Sequence, residues 1–141
     1  MTIKIGDSIP SVTLYLMGDD GPEAISSDEL FADKLVALFG LPGAFTPTCS
    51  ARHLPGYVEL ADSIREKGAD DIICLAVNDA FVMGAWAKEQ QVGDKVRMIA
   101  DGSGEFARAA GLELDLTDRG LGVRCQRFSM IVEKGVVHDL E

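Results

Sequence analysis

Lys34-Leu-Val-Ala-Leu-Phe-Gly40 runs without a break into Leu41-Pro-Gly-Ala-Phe-Thr-Pro-Thr-Cys49-Ser-Ala-Arg-His53. The first part is a short apolar run closed by glycine, which predicts a buried strand. In the second part Thr46-Pro47 is a helix start, with threonine as N-cap and proline at the first helical position. The helix continues from His53 to Lys67, where Leu54, Tyr57, Val58, Ala61 and Ile64 fall on one face of a 3.6-residue period. A buried strand that feeds directly into an amphipathic helix predicts a layered α/β unit.

The rest of the chain repeats that alternation. Asp71-Ile-Ile-Cys-Leu-Ala-Val77, Val96–Ala100 and Arg127–Val132 read as further strands. Asn78-Asp79 caps a helix running from about Ala80 to Gln90, and Asp101-Gly-Ser103 opens a short helix through Ala110. Glu133-Lys-Gly-Val136 is a turn into a last strand at Val136-Val137, so antiparallel pairing joins a partly parallel sheet. A mixed central β-sheet flanked by helices follows, and a thioredoxin-like fold suits this order. No internal repeat, low-complexity tract or linker interrupts it, and 141 residues are the size of one domain, taken as 1–141.

Thirteen cations against 23 acids give a net charge of −10, which leaves no broad basic face for phosphate backbones and argues against nucleic acid as a partner. The same charge opposes anionic lipid. The start, Met1-Thr-Ile-Lys-Ile-Gly-Asp7, lacks an apolar signal region, and no run approaches a membrane span. The expected location is cytoplasmic, away from membranes. Cys49, Cys74 and Cys125 are odd in number and far apart, which is no disulfide framework and reads as reduced thiols in a cytosol.

Cys49 falls at the third helical position after Thr46. A sulfur there sits among free backbone N–H groups at the positive end of the helix. Helix N-termini lower a cysteine pKa from about 8.5 to below about 7.5, and a low-pKa thiol suits nucleophilic redox chemistry. The local sequence leaves a second reading open, in which Thr46 merely caps and Cys49 is a small apolar filler.

Pro42-Gly-Ala-Phe-Thr46-Pro-Thr-Cys49-Ser resembles the proline, threonine, cysteine signature of peroxiredoxins, and with His53-Leu-Pro-Gly56 it is similar to the type II, or atypical, branch. The likeness continues through Val77-Asn-Asp79, Phe81-Val, Trp86, Ala100-Asp-Gly102 and Arg127-Phe-Ser-Met130. It implies a thiol-specific peroxidase acting in antioxidant defence on hydrogen peroxide and organic hydroperoxides. Cys49 would be the peroxidatic cysteine, oxidised to sulfenic acid and recycled by glutathione/glutaredoxin or thioredoxin. Thr46 would place its hydroxyl on the peroxide, Pro42 would shield the site, and Arg127 would set its guanidinium beside the thiolate. A permanent cation favours the thiolate and supplies fixed donors for both peroxide oxygens. No metal, haem or flavin cofactor is implied, because sulfur supplies the electrons. The resemblance also implies a homodimer with Phe45, Phe81 and Trp86 near its contact, residues that the sequence by itself would assign to the core.

Other reactive side chains have plainer readings. His53, four residues after Cys49, could form a hydrolase dyad with it, but no oriented third group or hydrolase signature accompanies the pair. It reads as a histidine bonded within the pocket wall. Arg52 reads as a solvated helix residue and Cys74 as a buried structural thiol. Cys125 reads as a packing residue at a strand start, although a strand already begun there would turn Cys125 and Arg127 to one face.

The resemblance stops at Glu141. Relatives normally continue through a further loop and a terminal helix, which in one subgroup carries the resolving cysteine. The expectation is a chain short at its C-terminus, or the peroxidase portion of something longer such as a glutaredoxin fusion, working by a one-cysteine cycle. Two other functions compete. A dithiol oxidoreductase needs Cys-x-x-Cys, but position 46 is threonine. A non-enzymatic redox sensor would oxidise once rather than turn over.

Overall fold

The computed structural model describes residues 2–47 and 52–141. The elements are β1 (Thr13–Gly18), β2 (Gly21–Ser26), α1 (Ser27–Phe31), β3 (Leu35–Gly40), α2 (Leu54–Glu66), β4 (Asp71–Ala76), α3 (Ala80–Glu89), β5 (Arg97–Ala100), α4 (Glu105–Ala110), β6 (Glu113–Leu116), β7 (Gly122–Cys125), β8 (Phe128–Glu133) and β9 (Val136–Leu140). Seven strands form one sheet in the order β2-β1-β5-β4-β3-β8-β9. Pairings β3–β4 and β4–β5 are parallel, while β3–β8, β8–β9, β1–β5 and β1–β2 are antiparallel. The expected mixed sheet flanked by helices is therefore present.

The middle of the sheet is buried on both faces, which is why β4 is an unbroken apolar run after Asp71. Alternation divides it into two cores. Leu38, Ile73 and Leu75 join Phe106, Phe128 and Met130 on one side. Phe39, Ile72, Cys74 and Ala76 meet Leu54, Ala61, Met83 and Trp86 from α2 and α3 on the other. Gly40 is required by this packing, because a Cβ there would collide with the Phe128 ring.

The predicted Asp79 cap is in place, whereas the N-cap of α4 is Gly104, with Asp101 reaching the first-turn N–H groups from three residues before it. Asp79 Oδ1 accepts from Val82 N at 2.8 Å at the start of α3. The buried Asp101 carboxylate accepts from Phe106 N and Ala107 N at 3.1 and 3.0 Å. Burial raises its pKa, and the N–H groups at the start of α4 oppose that rise. Two hairpins were not anticipated: β1–β2 at one sheet edge, and β6–β7, which forms a separate two-stranded ribbon.

That ribbon settles the orientation of Cys125. The strand expected from Arg127 begins at Phe128, while Cys125 ends β7 in a different sheet. Cys125 is fully buried and Arg127 is exposed, so the two do not share a face. Burial, with the nearby Asp101 charge, pushes the Cys125 thiol up to about 12.

Candidate active site

The segment after β3 emerges where the parallel strands β3 and β4 end together, the edge at which open α/β sheets place their ligands. Three contacts fasten it. Ala44 N donates to Asn78 Oδ1 at 2.9 Å, from the turn that follows β4. The Thr46 hydroxyl donates to Gly43 O at 2.7 Å. Arg124 Nη1 on β7 donates to Pro42 O at 3.2 Å. Gly43 leaves room for that guanidinium, since a Cβ there would strike Nη1. Between these anchors Phe45 adopts φ 65°, a left-handed conformation uncommon for a bulky residue.

Pro42 and Thr46 thus lie in one braced turn, half-buried, and Pro47 begins helical backbone. The N–H groups that Thr46 would cap belong to Thr48 and Cys49, and Cys49 itself lies outside the described residues, with Thr48, Ser50 and Ala51. The chain resumes at Arg52 and His53 in a wide, π-helical turn that passes into α2.

Arg127 arrives at this turn by sheet register. β8 runs antiparallel to β3 with Phe128 opposite Gly40, so the residue before Phe128 lies beside the end of β3. Arg127 Nη1 meets His53 Nδ1 at 2.7 Å, across 74 positions of sequence. The His53 ring lies tilted against Phe39 with centroids 5.1 Å apart and forms a T-shaped pair with Tyr57 at 5.7 Å. Tyr57 in turn stacks on Phe39 at 3.8 Å with planes 7° from parallel. Burial first, and the Arg127 charge second, hold the His53 pKa below its ordinary value. Burial raises the Tyr57 pKa, a hydrogen bond with Ser129 opposes this, and the charges of Glu141 and Cys74 add to it.

Arg52, His53, Gly56, Tyr57, Leu60, Ile64 and Arg127 line a cavity of about 600 Å³. Its lining is mostly apolar and includes two arginines, a composition suited to a small polar group carried on an apolar tail. His53 is therefore a pocket-wall residue, as read from sequence, with a direct bond to Arg127 added. Arg52 is exposed but also lines the cavity. Among the described residues no cluster of His, Cys, Asp and Glu could hold a metal ion, and no helix is long and apolar enough to cross a membrane.

Sequence reasoning missed Arg124 and the bracing role of Asn78. Gly122-Val-Arg-Cys125 carries no local sign of function, and a lone arginine there reads as surface. Of the three aromatics expected at a dimer contact, Trp86 is fully buried, whereas Phe45 is 52% and Phe81 64% exposed. The Phe45 and Trp86 ring centroids lie 6.4 Å apart.

Comparison with known proteins establishes the family and the fold. The chain matches the Redoxin family over residues 4–141. It is 48% identical over 132 residues to Peroxiredoxin-2B of Arabidopsis thaliana, covering 93% of this chain and 82% of the relative. The crystal structure of reduced Prx3 of Vibrio vulnificus in complex with hydrogen peroxide superposes with a TM-score of 0.95 at 46% identity, covering 99% of this chain and 87% of that one. The Plasmodium falciparum antioxidant protein, described as a 1-Cys peroxiredoxin, gives 0.92 at 36% identity, covering 98% and 83%. The sheet and its helices are thus the thioredoxin-like peroxiredoxin fold, and the chain belongs to the peroxiredoxins, the thiol peroxidases of the redoxin family.

Proposed function

We propose that this peroxiredoxin reduces hydrogen peroxide and organic hydroperoxides with Cys49 as the attacking thiolate. The sulfur donates an electron pair to the terminal peroxide oxygen, the O–O bond breaks, and water or an alcohol leaves after taking a proton. Cys49 is left as sulfenic acid. Arg127 stabilises the thiolate and donates to the leaving oxygen as charge grows on it, while the Thr46 hydroxyl, its proton held by Gly43 O, accepts from the peroxide O–H. Pro42 walls the site from bulk water. The observation that carries this reading is the meeting of Arg127 with His53 at 2.7 Å, which brings a permanent cation to the turn that follows Cys49 in the chain. The hydrogen peroxide complex of the Vibrio relative supports the same substrate here. Peroxide consumption should proceed over many turnovers with a thiol reductant and cease in Cys49→Ser; a Cys49→Ser protein that still turns over would refute it.

Regeneration is proposed to follow a one-cysteine cycle. A thiol of glutathione/glutaredoxin or thioredoxin condenses with the sulfenic acid, releasing water and forming a mixed disulfide, which a second thiol resolves. Cys74 and Cys125 are fully buried, in the cores on opposite faces of the sheet. Their burial disfavours either as resolving partner. Mass spectrometry after one equivalent of peroxide checks this, since an internal Cys49–Cys74 or Cys49–Cys125 disulfide would contradict it. A homodimer through the exposed Phe45 and Phe81, and a reducing cytoplasmic location suited to reduced thiols, complete the proposal.

A further inference from the structure

We infer that His53 is a positioning residue for Arg127, and that the two form a proton-operated latch in which neutral His53 holds the guanidinium and protonated His53 releases it. The inference rests on the reading that Arg127 serves the Cys49 thiolate.

The chemistry of the contact is one-sided. A guanidinium has five N–H donors and no acceptor. At 2.7 Å from Arg127 Nη1, His53 Nδ1 must therefore be the bare nitrogen of the ring, with the imidazole proton on Nε2. An imidazolium carries N–H on both nitrogens and cannot accept this bond. It would also set a second positive charge against the first. The contact exists in one protonation state and is repulsive in the other.

The surroundings favour the bound state. The ring is half-buried beside the Phe39 and Tyr57 rings, and both burial and the Arg127 charge resist its protonation. Among the described residues, the charged and titratable groups around it are Arg52 and Tyr57 from its own helical segment and Arg127 from the link between β7 and β8. Beyond Tyr57 lie Glu141, after β9, and Cys74 of β4; β3 contributes the uncharged Phe39 ring. The Arg127 charge opposes a second positive charge on the ring. Release of Arg127 is therefore confined to pH values below the ordinary histidine range of about 6.5.

The latch gives the peroxidase an acid limb separate from titration of the thiol. With two histidines in the chain, His53 and His138, nitrogen-detected imidazole NMR resolves it directly. His53 should appear as the Nε2–H tautomer with a midpoint below about 6.5, and Arg127→Met should move that midpoint up. The second-order rate of Cys49 oxidation by hydrogen peroxide should fall about tenfold at neutral pH in His53→Ala, as a charge-assisted bond is lost. His53→Asn, whose Oδ1 accepts at every pH, should recover most of that rate and lack the acid limb, with the thiolate followed separately by its ultraviolet absorbance. An Nδ1–H tautomer, a midpoint at or above about 6.5, or a midpoint indifferent to Arg127→Met would overturn the latch. The NMR titration needs no turnover, so a chain inert toward peroxide would refute the role of Cys49 without touching this result.

Discussion

Arg124 and Pro42, 82 positions apart, are joined by a hydrogen bond of 3.2 Å from Nη1 to the proline carbonyl, while Nε of the same guanidinium donates to Leu121 O at 2.9 Å. One planar side chain thus ties the turn after β3 to the β6–β7 ribbon. Arg124→Ala should lower the rate of peroxide reduction about 3- to 10-fold, the worth of one net hydrogen bond, with little change in melting temperature. Arg124→Lys should not restore it, because an ammonium cannot reproduce the fork. Gly43→Ala, which places a Cβ against Nη1, should resemble Arg124→Ala. Stopped-flow rates and thermal melts on the three variants check this.

The Phe39–Tyr57 stack is the floor on which His53 rests. Phe39 is fully buried, and Phe39→Ala should lower unfolding free energy by about 3–5 kcal/mol. Tyr57→Phe keeps the ring and should cost about 1 kcal/mol or less. Urea denaturation distinguishes the two.

Stability should depend on pH through His53 in a defined direction. Its folded pKa lies below its unfolded value, so as pH falls the unfolded chain takes up this proton first. The contribution is complete above about 6.5 and shrinks as pH falls from there to the folded midpoint. Between pH 7 and 5 the parent protein should therefore lose more melting temperature than His53→Asn. Equal losses would place the folded histidine at its ordinary value.

Thiol reactivity should separate the three cysteines. Cys125, with its pKa pushed up to about 12, and the fully buried Cys74 should resist a disulfide reagent in the native protein. Cys49 should react at once, and all three should react after denaturant is added. Rapid native reaction of Cys125 would contradict its burial.

The parts of this protein visible in its sequence are those where a local rule and the packing agree. Strand β3, the apolar face of α2, the Asp79 cap and the Asp101 carboxylate that meets the first turn of α4 each follow from periodicity or from the chemistry of helix starts. The hairpins were hidden because their strands bury little. In β2 no residue is fully buried, and β6 and β7 are four-residue strands with one buried residue between them. Asp19-Asp20, linking Gly18 of β1 to Gly21 of β2, is with that glycine a usable hairpin signal. The roles of Arg124 and Asn78 depend on contacts made across the fold, which no periodicity encodes. Arg127 was legible through the family pattern, but its bond to His53 arises from the register of β8 on β3.

The most direct test is the second-order rate constant for oxidation of Cys49 by hydrogen peroxide, in the parent protein and in Thr46→Val and Arg127→Ala. Loss of the Arg127 donor to developing charge, or of the Thr46 hydroxyl oxygen that accepts from the peroxide while its proton is held by Gly43 O, should slow each variant by about 100-fold or more. Variants that react as fast as the parent would contradict the proposed site.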